Sequence, residues 1–189
     1  MKTSILSLLA LCATTSTSAL STPTPVTPNP AIKAMATGMS LLKPVFSLEA
    51  QLQAAILGKL GGIDTLNVEA DIAAMKKENK VLIYTYGLSP FSVEAVNMLE
   101  QSGYEFTKKE LGLEWFLLGP KESVARVVLS KDVEGGATSL PKIFIGGECI
   151  GGCKELADLV ERGELDTKMK QAKVGKKGAG KTAFSLWKK

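Results

Sequence analysis

Hydrophobic and polar positions alternate along the chain with two periods, and the switches between them mark out its elements. Leu52, Ala55, Ile56 and Leu60 fall on one face of a helix that Ser47 can cap and Gly61-Gly62 stops, which predicts an extra N-terminal helix within 47–66. Asn67 can cap a second helix, with Val68, Ile72 and Met75 as its apolar stripe and an end near Asn79. Val81 to Tyr86 is a continuous β-favouring run, the pattern of a strand buried on both faces at the centre of a sheet. Ser89 then caps a helix with Pro90 at its first position. Val93, Val96 and Leu99 form its inward stripe, and Gly103 ends it in a left-handed conformation. A weakly alternating strand runs from Tyr104 to Leu111, and a helix starts near Pro120 within the apolar stretch Trp115–Leu129. Ile143-Phe144-Ile145 and Cys149-Ile150 flank the turn Gly146-Gly147 as a hairpin. A final amphipathic helix carries Leu156, Leu159 and Val160. The order α-β-α-β-α-β-β-α makes this an α/β chain. A helical crossover sets its first two strands parallel, giving a central four-stranded mixed sheet flanked by helices.

Composition divides the chain further. The 189 residues are 45% hydrophobic, enough for one domain with tails. From Thr167 onward there are eight lysines and no acidic residue; removing those eight from the net +4 leaves about −4 for the rest. A mildly acidic body carries a basic tail, which argues against nucleic acid as a partner. The tail, 166–189, shows no apolar period and reads as disordered, with Phe184, Leu186 and Trp187 as a candidate membrane or partner contact. At the other end, Met1-Lys2, the apolar run Ile5–Leu11 and Thr17-Ser18-Ala19 outline a signal peptide over 1–19. Residues 20–46 are rich in Ser, Thr, Pro and Ala and contain no acid, a transit-like or disordered composition. Together they resemble the bipartite plastid leaders of algae with secondary plastids. The plastid is therefore the expected location, with secretion as the alternative.

Histidine is absent, which excludes Ser-His-Asp and Cys-His chemistry and His-based metal sites. Against that background three motifs stand in order across 67–165. Ser89-Pro90-Phe91-Ser92 follows the first strand at a helix start. Thr138-Ser139-Leu140-Pro141 precedes the third strand. Gly146-Gly147-Glu148-Cys149-Ile150-Gly151-Gly152-Cys153 covers the hairpin and the start of the last helix. In this arrangement the chain resembles the glutaredoxin family and its thioredoxin-like fold, with the family's Cys-Pro-Phe/Tyr-Cys replaced by Ser-Pro-Phe-Ser.

The resemblance implies a glutathione-dependent thiol-disulfide exchange, but that reaction needs a thiolate. A serine hydroxyl ionises far less readily, and the chain has no histidine to act as its base. Nor can a serine pair stand in for iron–sulfur thiolates. The family pattern also implies a cis-proline at Pro141. Ser139, Leu140 and Pro141 would cradle an extended peptide, and Gly151, Gly152 and Cys153 would bring helix-start amides to a carboxylate. Departures accompany the lost sulfurs. Tyr86 stands where the family commonly has lysine, Lys154 where it often has aspartate, and Thr138 where it often has arginine. Three functions remain open. The first is a redox-inactive module binding a thiol peptide (glutathione included) or a protein partner. The second is an oxidoreductase using Cys153, at a helix start that favours its thiolate, with Cys149 as its pair. The third is a scaffold assembled through the extra helix. No cofactor or metal is expected. Gly175 to Thr182 also matches the phosphate-binding Walker A pattern. It lacks the preceding strand that such a loop requires.

Overall fold

The computed structural model describes residues 25–39, 43–112, 119–133 and 135–178. Seven helices and four strands follow in the order α1 (Pro30–Met39), α2 (Lys43–Leu60), α3 (Thr65–Glu78), β1 (Val81–Thr85), α4 (Pro90–Gln101), β2 (Thr107–Glu110), α5 (Pro120–Ser130), β3 (Lys142–Ile145), β4 (Glu148–Gly151), α6 (Cys153–Glu161) and α7 (Leu165–Gln171). The sheet order is β2-β1-β3-β4. β1 runs parallel to β2 and antiparallel to β3, and β3 pairs antiparallel with β4. This is the expected mixed sheet with flanking helices. Its outer strand β2, Thr-Lys-Lys-Glu, keeps charged side chains in solvent, which discourages pairing at that edge.

Alternation along β1 and β3 separates two cores. Val81, Ile83, Ile143 and Ile145 face one side, packed with Ala95, Met98 and Leu99 of α4 and Leu156 and Leu159 of α6. Leu82, Tyr84 and Phe144 face the other, against Val68 and Ile72 of α3 and Val124, Val128 and Leu129 of α5. All five β1 residues are buried, as their uninterrupted apolar run requires.

Several boundaries differ from the sequence expectation. The second predicted helix is capped by Asp64, whose side chain accepts from the Leu66 amide at 2.9 Å, and not by Asn67, which donates its own side-chain amide to Asp64. On α4 the inward positions are Ser92, Ala95, Met98 and Leu99, while Val93 is exposed. The apolar register is rotated because Ser92 turns inward. The second strand is shorter than Tyr104–Leu111, starting at Thr107.

Both tails contribute structure. Within the transit-like segment, α1 packs Ile32, preceded by Val26, onto the α4–α6 core. Its Lys33 forms ion pairs of 2.6 Å with both Asp158 and Glu161 on α6. The tail expected to be disordered from residue 166 instead forms α7, with Met169 fully buried beside Leu165. Two apolar residues four apart were too few to register as a period. Beyond α7 the chain returns to the loop after α4. The Glu105 amide donates to Gly175 O at 2.9 Å and the Lys177 amide to Gly103 O at 2.7 Å. The Walker-like stretch therefore follows a helix, and its described part, 175–178, is stitched to a loop. The leader 1–19, residue Trp115 and the residues Phe184, Leu186 and Trp187 lie outside the described residues. No helix among the described residues is long and apolar enough to cross a membrane.

Because Met169 is buried in the main core, Met169→Ala is expected to cost about 2–5 kcal/mol of stability. Urea denaturation of the two proteins measures it. A change below a few tenths of a kcal/mol would show that this tail does not pack.

Candidate functional site

The sheet register gathers the first two motifs and the Gly151-Gly152-Cys153 end of the third at one end of the sheet. Ser89-Pro90-Phe91-Ser92 leaves the C-terminal end of β1. Tyr84 pairs with Lys142, so Pro141 arrives at that same end. Ile143 pairs with Gly151, which brings the start of α6 beside it. A Cβ on Gly152 would sit 3.1 Å from Pro141 O, so the two segments touch through backbone. The Leu140–Pro141 peptide is cis, as the motif implied.

Both serines of the first motif act on backbone. Ser89 is the N-cap of α4, its hydroxyl oxygen accepting from the Ser92 amide at 3.3 Å, with Pro90 at the first helical position. Ser92 is 1% exposed, and its hydroxyl oxygen accepts from the Tyr86 amide at 3.2 Å. The pair thus closes the loop between β1 and α4. Phe91 is half-buried against the α4–α6 core.

Behind Ser139-Leu140-Pro141 lies a cation that sequence reading missed. Arg126 of α5 is 4% exposed, donates from Nε to Thr138 O at 3.0 Å, and pairs through Nη1 with Glu49 Oε2 of α2 at 3.0 Å. The charge absent at position 138 is therefore supplied from α5. Its trace in the sequence was a lone arginine inside the apolar stretch Val124–Leu129. Tyr86, in the lysine position of the resembled pattern, is buried, and its hydroxyl has no hydrogen-bond partner among the described residues. Burial pushes this phenol up to about 12, with Arg126 opposing and Glu49 adding to the shift.

At the start of α6 the chain's own carboxylate fills the amide position. The Gly152 amide donates to Glu155 Oε2 at 2.9 Å, and the Glu155 stem lies over Gly151, whose φ of +109° suits glycine. Glu155 was also missed; its signal was the spacing of three from the helix cap. Lys154 is tied to Asp158 at 2.9 Å, which also holds Lys33 of α1. The Asp158 carboxyl is held low, chiefly by its hydrogen bonds with Lys33 and Lys154.

The two cysteines do not meet. Cys153 belongs to the α4–α6 core and is 5% exposed, whereas Cys149 packs with Phe144 on the opposite face of the sheet. A disulfide between them would have to cross the sheet, and both are free thiols. Burial, followed by Glu94 and Glu155, pushes the Cys153 thiol up to about 11. Burial likewise raises Cys149. The expected thiolate-favouring effect of the helix start is outweighed by desolvation and by these two carboxylates. A separate cleft at the other end of the sheet is lined by Lys76, Lys77, Asn79, Lys80 and the Gly146-Gly147 turn that opens the third motif, away from Ser89–Ser92 and Pro141. Two of its lysines are already engaged, Lys76 by Asp132 and Lys80 by Lys173 O.

Two measurements check this geometry. Ser92→Ala removes the acceptor of a buried amide and is expected to cost about 1–3 kcal/mol in urea denaturation, more than the roughly 1 kcal/mol expected for Ser89→Ala. A Cys153 thiol shifted from 9.0 to about 11 holds about 100-fold less thiolate near pH 8. Mass spectrometry of alkylated protein should show Cys153 reacting at least that much more slowly folded than unfolded. Equal rates would mean an open, ordinary thiol.

No family model matches the chain. Individual proteins do. Over 87 residues it is 36% identical to a probable glutaredoxin of Synechocystis sp., spanning 46% of this chain and 89% of that protein. It is 29% identical over 103 residues to glutaredoxin-1 of Sus scrofa, spanning 54% of this chain and 93% of that protein. With glutaredoxin-1 of Bos taurus the match is 58% over 36 residues, and there the chain spans only 34% of its relative's length. Among solved structures, oxidized glutaredoxin 2 from Chlamydomonas reinhardtii superposes with a TM-score of 0.50 at 26% identity, covering 59% of this chain and 98% of that one. A buckwheat glutaredoxin–glutathione complex gives a TM-score of 0.51 at 17% identity, covering 58% and 93%. A relative matched over nearly its whole length, with the sheet and helices to go with it, establishes that this chain belongs to the glutaredoxin family.

Proposed function

We propose that the chain is a redox-inactive member of the family, a module that holds an extended thiol peptide or protein segment against Ser139-Leu140-Pro141 without exchanging disulfides with it. One observation carries this reading. At the helix start where a thiolate would act, Ser89 and Ser92 stand, and both hydroxyls accept from backbone amides. The alternative, an oxidoreductase using Cys153 with Cys149, is weighed down by burial of the first thiol, its raised pKa, and the separation of the two across the sheet.

The charge pattern supports a protein segment over free glutathione. Glu155 already accepts from the Gly152 amide, and Glu49 already neutralises Arg126. A ligand carboxylate aimed at either place would have to displace a tethered one, which acts at a high effective concentration. The leader reading stands beside this as part of the same proposal, with the plastid as destination and secretion as the alternative.

Titration of glutathione into the full chain by NMR, paired with a disulfide-reduction assay on wild type, Ser89→Cys and Cys153→Ser, tests the reading. Wild type should show no reductase turnover and only weak glutathione shifts near Pro141. Ser89→Cys should gain activity, because a helix start lowers a cysteine pKa. Wild-type activity that disappears in Cys153→Ser would overturn the reading in favour of the buried thiol.

A further inference from the structure

Helix α2 packs with the wrong face inward for its size distribution. Small residues, Ala50, Ala54 and Gly58, lie towards the body, with a Cβ on Gly58 only 3.0 Å from Val124 Cγ2 of α5. The large ones point away. Val45 is 62% exposed, Leu48 70%, Leu52 61%, Ile56 50% and Leu60 80%. Spacings of three and four residues align these five along one stripe of the 18-residue helix. Three of the five, Leu52, Ile56 and Leu60, belong to the apolar face that sequence periodicity marked, and the fold leaves them open.

We propose that this stripe is a self-association surface, on which α2 of a second copy of the chain packs antiparallel about a two-fold axis near Leu52. The occupant follows from the pattern of the helix. Antiparallel pairing about residue 52 places Leu52 on Leu52, Leu48 on Ile56, and Val45 beside Leu60, so each large side chain meets another. The same patch then serves on both protomers, as a closed two-fold dimer requires. Of the charged residues among these side chains, Glu49 is held by Arg126, and antiparallel pairing carries the two copies of Lys59 to opposite ends, whereas parallel pairing would stack them. Area is adequate as well. Five apolar side chains at these exposures present on the order of 500 Å² per protomer, so the pair would bury roughly 1,000 Å², the lower bound for a specific interface. Such an interface is weak, with dissociation in the micromolar range.

The surface does not depend on the thiol-peptide reading, since none of the five apolar residues belongs to the three motifs. Sedimentation equilibrium of the full chain across the micromolar range tests it, with circular dichroism to verify folding. Wild type is expected to dimerise. Leu52→Lys, which brings two charges together at the axis, should weaken the dimer by about 100-fold or more. Val93→Lys, at an exposed apolar residue elsewhere, should leave it unchanged. A wild type that stays monomeric at every concentration overturns the proposal. So does one that is monomeric yet co-floats with lipid vesicles, which would assign the stripe to a membrane surface. Equal dimerisation of wild type and Leu52→Lys overturns it too, by placing the contact elsewhere.

Discussion

Strand β1 is the constraint on which the rest of the molecule depends. It is hydrogen-bonded on both edges, parallel to β2 and antiparallel to β3, and buried on both faces. A slip of one residue would turn Val81 and Ile83 out of one core and Leu82 and Tyr84 out of the other, so its register is held from four directions. That register fixes where the strand ends, and the loop Tyr86–Ser92 inherits its position. The same pairing places Pro141 and Gly151 alongside. The site is a corner of the sheet before it is a set of residues.

Within that corner, both motif serines and the charged groups beside them are engaged internally. Each serine hydroxyl accepts a backbone amide, Glu155 accepts the helix-start amide, and Glu49 neutralises Arg126. These contacts come partly from elements outside the resembled region. Glu49 rides on α2, and Lys33 on α1 reaches Asp158, the partner of Lys154. The N-terminal helices thus do more than decorate the domain. They neutralise charges next to Ser139-Leu140-Pro141 and the start of α6, one on each side of the sheet.

Much of the fold was legible along the chain, for a simple reason: the period of burial is the period of the backbone. The apolar run 81–86, the Ser-Pro helix start, the Gly-Gly hairpin and the cis-proline segment each declare themselves locally. Legibility failed where one helix serves two neighbours or where a short element packs. On α4 a buried serine displaced Val93 from the core. On α7 two residues, Leu165 and Met169, sufficed to dock a helix within a lysine-rich tail. On α2 the large apolar stripe faces away from the body, because Ala50, Ala54 and Gly58 allow closer approach to α5 than leucines would.

What the sequence determined by itself was the element order, the serines at positions 89 and 92, and the absence of any histidine. Those are properties of residue identity and local period, and tertiary structure cannot revise them. Only the folded chain decided the state of the remaining thiols and charges. A helix start ordinarily favours a thiolate, yet desolvation and two carboxylates push the Cys153 thiol up instead. Cys149, four residues away in sequence, faces the other core because a strand alternates its side chains and the sheet lies between them. Nearness along the chain carried no information about nearness across a sheet, and that separation keeps the two sulfurs from meeting.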